Sequence, residues 1–147
     1  MVTIAASLGA ALAAAQLVPV RVSNPPSQGA LAAPADVHEI LNRSCYDCHS
    51  NETRWPWYAR VAPLSWMVAR DVETGRREIN FSEWGGYLPR TRKRKLQWMH
   101  RSLGGESMPP WSYCLMHPQA RLDANDRAKL RAWIDTQLKD GDSAAAR

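Results

Sequence analysis

Apolar side chains recur along this chain at three- and four-residue steps, and no stretch alternates apolar with polar residues over the length of a strand. Residues 1–20, MVTIAASLGAALAAAQLVPV, hold no charged side chain and predict an apolar helix close to the ~20 residues of a membrane span. In PADVHEILNRSCYDCH, Val37, Ile40 and Leu41 share one stripe, Pro34 suits a helix start and Asp36 its first turn. A further helix is predicted over 66–76, with Trp66, Val68 or Ala69, and Val72 pointing inward. Another runs over 92–103 with Leu96, Met99 and Leu103 on its stripe, ended by Gly104 and Gly105. The last opens at Asp123 and is buried through Ala128, Trp133, Ile134 and Leu138. Asp123 and Asp126 stand at the spacing of a capping-box variant.

Long loops separate these helices, over 51–65 and 104–120. Loops of that length in a small domain usually serve a function, and a cofactor to wrap would account for both. The segment 79–89 is a shorter loop in which Ser82 is expected to cap a turn before Glu83. Residues 21–33 contain Asn24-Pro25-Pro26 and Gly29, which oppose a helix and predict a linker. The folded domain is expected over 34–140 and a disordered tail over 141–147. The fold class is therefore all-α: a bundle of about four helices with long loops, preceded by an N-terminal apolar helix.

Composition narrows the picture. With 147 residues, 45% apolar and 22% charged, the chain is one globular domain rather than a disordered one. Seven Trp against one Phe is a skewed aromatic set, and large flat rings suit a flat apolar cofactor as well as an ordinary core. The net charge of +5 is concentrated in RTRKRK, residues 90–95. That run reads first as a solvated helix face and second as a surface that attracts an acidic protein. No aromatic residue interleaves it and no nucleic-acid-binding signature surrounds it, so nucleic acid is not an expected partner.

The chemistry concentrates at residues 45–49, CYDCH. A C-x-x-C unit serves as a redox dithiol, as half of a tetrahedral zinc site or, with histidine next, as the attachment point of a c-type haem. A thioredoxin-like dithiol follows a strand, whereas here a helix precedes. Zinc needs four ligands, and His49 directly after Cys48 is poorly placed to share one ion with it. Cys114 and His117, spaced C-x-x-H, keep the zinc alternative open. Haem accounts for the adjacency: Cys45 and Cys48 become thioethers and His49 comes under the iron as its ligand. Export of the chain is independent support, because thioether attachment belongs to the oxidising side of a membrane. Cys114 is then single and reads as a small buried hydrophobe.

A second axial ligand must come from across the ring. The candidates are Met67, Met99, His100, Met108, Met116 and His117. Met99 lies on an apolar stripe, and Met67 and His100 sit on helices. Met108 stands before Pro109-Pro110 in a long loop, where prolines hold a side chain in place without a helix. Met108 is the favoured ligand and His117, in Met116-His117-Pro118, the alternative; a second imidazole would lower the potential relative to a thioether. Trp55, Trp57 and Tyr58 follow the motif closely and are expected to wall the ring, with Arg54 or Arg60 near its propionates.

CYDCHSNETRWPWYARVAPLSW, GRREINFSEW and SMPPWSYCLMHPQARLDANDRAKLRAWI together resemble the bacterial haem-binding-domain family of small cytochrome c-like proteins, and QLVPVRVSNPP resembles that family's membrane-exit segment. The resemblance covers nearly the whole chain. It implies one covalent haem c, a cytochrome c-like helical fold and an exported, often membrane-tethered location. It carries Cys45 and Cys48 as attachment residues, His49 as proximal ligand and, through M-P-P, Met108 as distal ligand, while M-H-P keeps His117 in view. The family's basic residues ahead of the apolar segment are missing here, which points to a start upstream of Met1.

The expected function is that of a monohaem c-type cytochrome carrying one electron between exported or membrane redox partners, one of them with an acidic face. The alternative is a haem-based sensor with a displaceable sixth ligand. No acid–base pair marks an enzyme. The expected location is the periplasmic side of the bacterial inner membrane. The N-terminal segment is read as an uncleaved anchor rather than a cleaved signal, because its apolar run continues past Ala13-Ala14-Ala15.

Overall fold

The computed structural model describes residues 2–105 and 107–145. Its helices are α1 Val2–Ala15, α2 Ala35–Ser44, α3 Tyr46–His49, α4 Leu64–Glu78, α5 Pro89–Gly104, α6 Trp111–Met116 and α7 Ala124–Ala145. No strand occurs among the described residues. The fold is all-α, and α2, α4, α5 and α7 are the four helices that the periodicity predicts. α5 packs along α7, α4 against α3, and α2 against both α3 and α7.

Local chemistry sets the boundaries. Proline has no N–H to lose in a first helical turn, so α5 starts at Pro89 rather than at Arg92. At the start of α7 the capping box forms as expected. The Asp126 N–H donates to Asp123 Oδ1 at 2.7 Å, and the Asp123 N–H donates back to Asp126 Oδ2 at 3.2 Å. The expected tail beyond 140 instead continues α7 as far as Ala145, while Ala146 and Arg147 lie outside the described residues. The turn over Phe81–Gly86 is capped by Asn80, whose side chain accepts from the Ser82 N–H at 3.0 Å. Ser82, the expected cap, instead accepts from the Asn51 N–H through its hydroxyl.

The core joins Val37, Ile40 and Leu41 of α2 to Leu96, Met99 and Leu103 of α5 and to Leu130, Trp133 and Ile134 of α7. Ala128 is exposed; the buried face of α7 runs through Asp126, Leu130, Trp133 and Ile134. Trp133 and Ile134 are on that face as expected, whereas Asp126 was not expected there because it is polar. Trp66 is likewise exposed, and α4 turns Ser65, Val72 and Gly75 inward. Small residues on that face let the helix lie close to the backbone of α3.

Residues 21–33 are not a free spacer. Leu31 is buried in the core, and its N–H donates to the Phe81 carbonyl at 2.8 Å. The Gln28 N–H donates to the Ser82 carbonyl at 2.8 Å, and Asn24 Nδ2 to the Thr53 carbonyl at 2.9 Å. Gly29 has φ +83° and passes within 3.1 Å of Gly85 Cα at the position a Cβ would take, so a side chain there is excluded twice over. α1 is exposed along its described side chains apart from half-buried Ala15. No helix of the described residues is long and apolar enough to cross a membrane.

Candidate functional site

α2 carries the chain into the C-x-x-C-H segment. The Cys45 N–H still donates to the Leu41 carbonyl at 2.8 Å, but Cys45 leaves helical geometry at φ −129°, ψ −36°. α3 then restarts, with the His49 N–H donating to the Cys45 carbonyl at 2.9 Å. This kinked turn puts Cys45, Cys48 and His49 on the wall of one cavity of about 510 Å³, in the range of small-molecule and cofactor sites.

α4 fixes this turn by close approach. A Cβ on Gly75 would stand 2.4 Å from the Cys48 carbonyl oxygen, so only glycine fits. The same contact brings the Gly75 carbonyl to His49. His49 Nδ1 lies 2.9 Å from the Gly75 oxygen and 3.3 Å from the Ile79 oxygen. Carbonyl oxygens only accept, so Nδ1 carries the proton and Nε2 keeps the ring's lone pair. Among the described residues Nε2 has no hydrogen-bond partner. Burial pushes the imidazole below its ordinary pKa, with the two carbonyls opposing, and the ring is held neutral. A neutral imidazole whose other nitrogen donates to a backbone carbonyl is the usual arrangement of a metal-ligating histidine.

The two thiols are free and lie beside the same space. Burial pushes Cys45 up to about 12, with the Cys48 charge adding and Arg43 opposing. Burial does the same to Cys48, also about 12, with Asp71 and Asp47 adding and Arg76 opposing. Both are protonated thiols at neutral pH.

The rest of the wall is mostly apolar. Phe81, Trp98, Met99, Leu103 and Leu122 line it, and Met108, Pro109 and Pro110 form another part. His49 thus shares one cavity with Met108. His117 does not line this cavity; its Nε2 lies 2.8 Å from Tyr58 Oη and its ring stacks on Tyr113 at 4.4 Å between centroids. Met67 lines the rim, 60% exposed. Ser44 Oγ is buried at the wall with no hydrogen-bond partner among the described residues.

Trp55, Trp57 and Tyr58, expected to wall the ring, do not line the cavity. Trp55 Nε1 donates to Asn24 Oδ1 at 3.0 Å on the docked 21–33 segment, and Trp57 is 75% exposed. Their turn, Trp57–Arg60, buries only Ala59. Being close to the motif in sequence does not bring them to the cavity wall: Trp55 is held by Asn24 and Tyr58 by His117. Trp98 of α5 takes the place expected for them, its ring 6.0 Å from that of His49. Its signal was available: Trp98 and Ser102 lie four apart, each one residue before the Met99–Leu103 stripe. Arg54 binds Asp47, with Nε 3.1 Å from Oδ1, and Arg70 is the arginine at the cavity.

Polar contacts brace the turn from outside. Arg76 Nε donates to the Ser50 carbonyl at 2.8 Å, and its Nη2 to Thr53 Oγ1 at 3.0 Å. Thr53 Oγ1 donates to the Asp47 carbonyl at 2.8 Å. Tyr113 Oη donates to Asp47 Oδ2 at 2.6 Å, and burial followed by that bond raises the phenol's pKa well above its ordinary value.

Cys114 is buried in α6 and, with His117, lies outside the cavity. Among the described residues no group of three or more His, Cys, Asp or Glu is placed to hold a metal ion, so the zinc alternative has no site here.

Two paired thiols, a neutral imidazole with one nitrogen left bare, and a thioether sharing an apolar cavity fit a haem. The model of the family described as the haem-binding domain matches residues 10–136, and the chain belongs to that family. The match begins within α1 and includes the docked 21–33 segment. Comparison with curated proteins and with solved structures returned no match.

Proposed function

We propose that this protein is a monohaem c-type cytochrome that carries single electrons between exported or membrane-bound partners. One observation carries the reading: Cys45, Cys48, His49 and Met108 line one cavity, with His49 Nδ1 tied to the Gly75 carbonyl. Cys45 and Cys48 would hold the haem through their sulfurs, each as a thioether. His49 would hold iron through Nε2 and Met108 through its sulfur. When bound, the haem supplies a one-electron couple.

The chain's own residues then set the conditions. Gly75 and Ile79 hold the imidazole in one tautomer and one orientation. Phe81, Trp98 and Leu103 give the cavity an apolar wall that would keep water from a bound haem and so raise the energetic weight of every charge nearby. With His49 and Met108 both on the iron, no position would be left open for substrate, which supports electron transfer over catalysis. The His117–Tyr58 hydrogen bond supports Met108 rather than His117 as sixth ligand.

Arg90 and Arg94 are exposed on α5, while Arg92 donates to the Gly85 carbonyl and Lys95 to the carbonyls of Arg77 and Glu78. The exposed pair supports a partner with an acidic face. The uncharged N-terminal segment supports membrane attachment on the side where thioethers form.

The test is a redox titration of purified holoprotein followed by carbon monoxide addition to the ferrous form. A reversible one-electron wave and an unchanged spectrum under carbon monoxide are expected. Rapid carbon monoxide binding without denaturant would transfer the case to a gas sensor.

A further inference from the structure

We infer that the loop between α3 and α4 is a docking face for an anionic lipid surface. This rests on the proposed N-terminal membrane attachment and assigns to it a surface of the folded domain. Gln16, one residue beyond α1, grips Ala62 on both sides of its backbone. Gln16 Nε2 donates to the Ala62 carbonyl at 3.2 Å, and the Ala62 N–H donates to Gln16 Oε1 at 3.0 Å. The apolar N-terminal segment therefore leaves the domain beside this loop.

The side chains around that clamp are apolar and exposed: Leu17 and Val18 on one strand of chain, Trp57, Val61 and Leu64 on the other. Their charge pattern is one-sided. From Thr53 to Arg70 the chain holds Arg60 and Arg70, besides Arg54, which is paired with Asp47, and no acidic residue; residues 16–34 hold Arg21 and no acidic residue. Tryptophan with basic residues at the end of an apolar helix is the composition of a membrane–water boundary. Arginines near an anionic leaflet add an attraction that salt screens.

Met67, which lines the cavity, follows Leu64 by about one helical turn, so docking brings one edge of the cavity close to the lipid.

The experiment measures amide hydrogen exchange of full-length holoprotein on phosphatidylcholine vesicles with and without about a quarter phosphatidylglycerol. Both hold α1, so the comparison isolates the loop. At low ionic strength, exchange over 57–64 is expected to slow about fivefold or more on the anionic vesicles. High salt should abolish the difference, and Trp57→Ser and Arg60→Gln should each reduce it. Equal exchange on the two vesicles overturns the inference, as does protection confined to α5, which would put the lipid contact on that helix instead of the loop. Haem absorbance is read on the same samples. A full haem spectrum without loop protection removes the lipid face and leaves the cofactor reading intact; loop protection on a colourless protein does the reverse.

Discussion

Tyr113 Oη donates to the Asp47 carboxylate at 2.6 Å and so ties α6, just beyond Met108, to the middle of the C-x-x-C-H turn. The two chain segments that bear the cavity's iron-binding candidates are thus fixed to one another by a single short bond. Tyr113→Phe keeps the ring stacked on His117 and removes only the donor. The expected cost is about 1–3 kcal/mol in chemical denaturation of the holoprotein. Hydrogen exchange over 107–117 should quicken while α7 stays unchanged. An unaltered loop would show that the bond does not hold it.

Gly75→Ala tests the approach of α4. The added Cβ would meet the Cys48 oxygen at 2.4 Å, and either the helix or the turn must move, taking with it the His49 acceptor. A loss of about 1–3 kcal/mol or more is expected, with haem content falling in a pyridine haemochrome assay. Gly86→Ala meets nothing within 4 Å and should change stability by less than about 0.5 kcal/mol. Equal behaviour of the two variants would contradict the packing described.

The ion pair between Arg43 and Asp126 gives a pH dependence. Burial raises the Asp126 pKa, but hydrogen bonds from Arg43 and the Asp123 N–H outweigh it and the net shift is downward. A carboxyl group depressed in the folded state contributes stability above its unfolded pKa and loses it as pH falls through the folded one. Asp126→Asn should therefore cost about 1 kcal/mol at neutral pH, the partly exposed arginine trimming the value. The gap between wild type and variant should hold down to about pH 5 and close below about pH 4. A gap that persists in acid would place its origin elsewhere.

Met108→Ala and His117→Ala separate the two sixth-ligand candidates. In the ferric holoprotein, Met108→Ala should abolish the far-red band of an iron–thioether bond and open the iron to external ligands. His117→Ala should leave that band in place, because its Nε2 already faces Tyr58 Oη at 2.8 Å. The reverse pattern would make His117 the ligand.

Much of this was legible in the sequence. Helices with a strong stripe, such as Leu96–Met99–Leu103, appear where periodicity puts them, and CYDCH located the cavity wall. What was missed has separate causes. Val72, Trp133 and Ile134 are buried as expected, but Gly75 and Asp126 were missed on the same faces because close contact selects the first and a clamp the second, and neither looks apolar. Trp57 was assigned to the cavity by its distance along the chain, whereas Trp98 reaches it through the fold. The docking of 21–33 is carried by backbone hydrogen bonds, which leave no trace in side-chain pattern.

Covalent haem attachment at Cys45 and Cys48 is tested by the intact mass of denatured protein purified from a host able to mature c-type cytochromes. The expected mass is that of the polypeptide plus one haem, retained through acid–acetone extraction, and the singly substituted Cys45→Ala and Cys48→Ala proteins should lose haem or hold it by one bond. A colourless protein with the mass of the bare chain would contradict it.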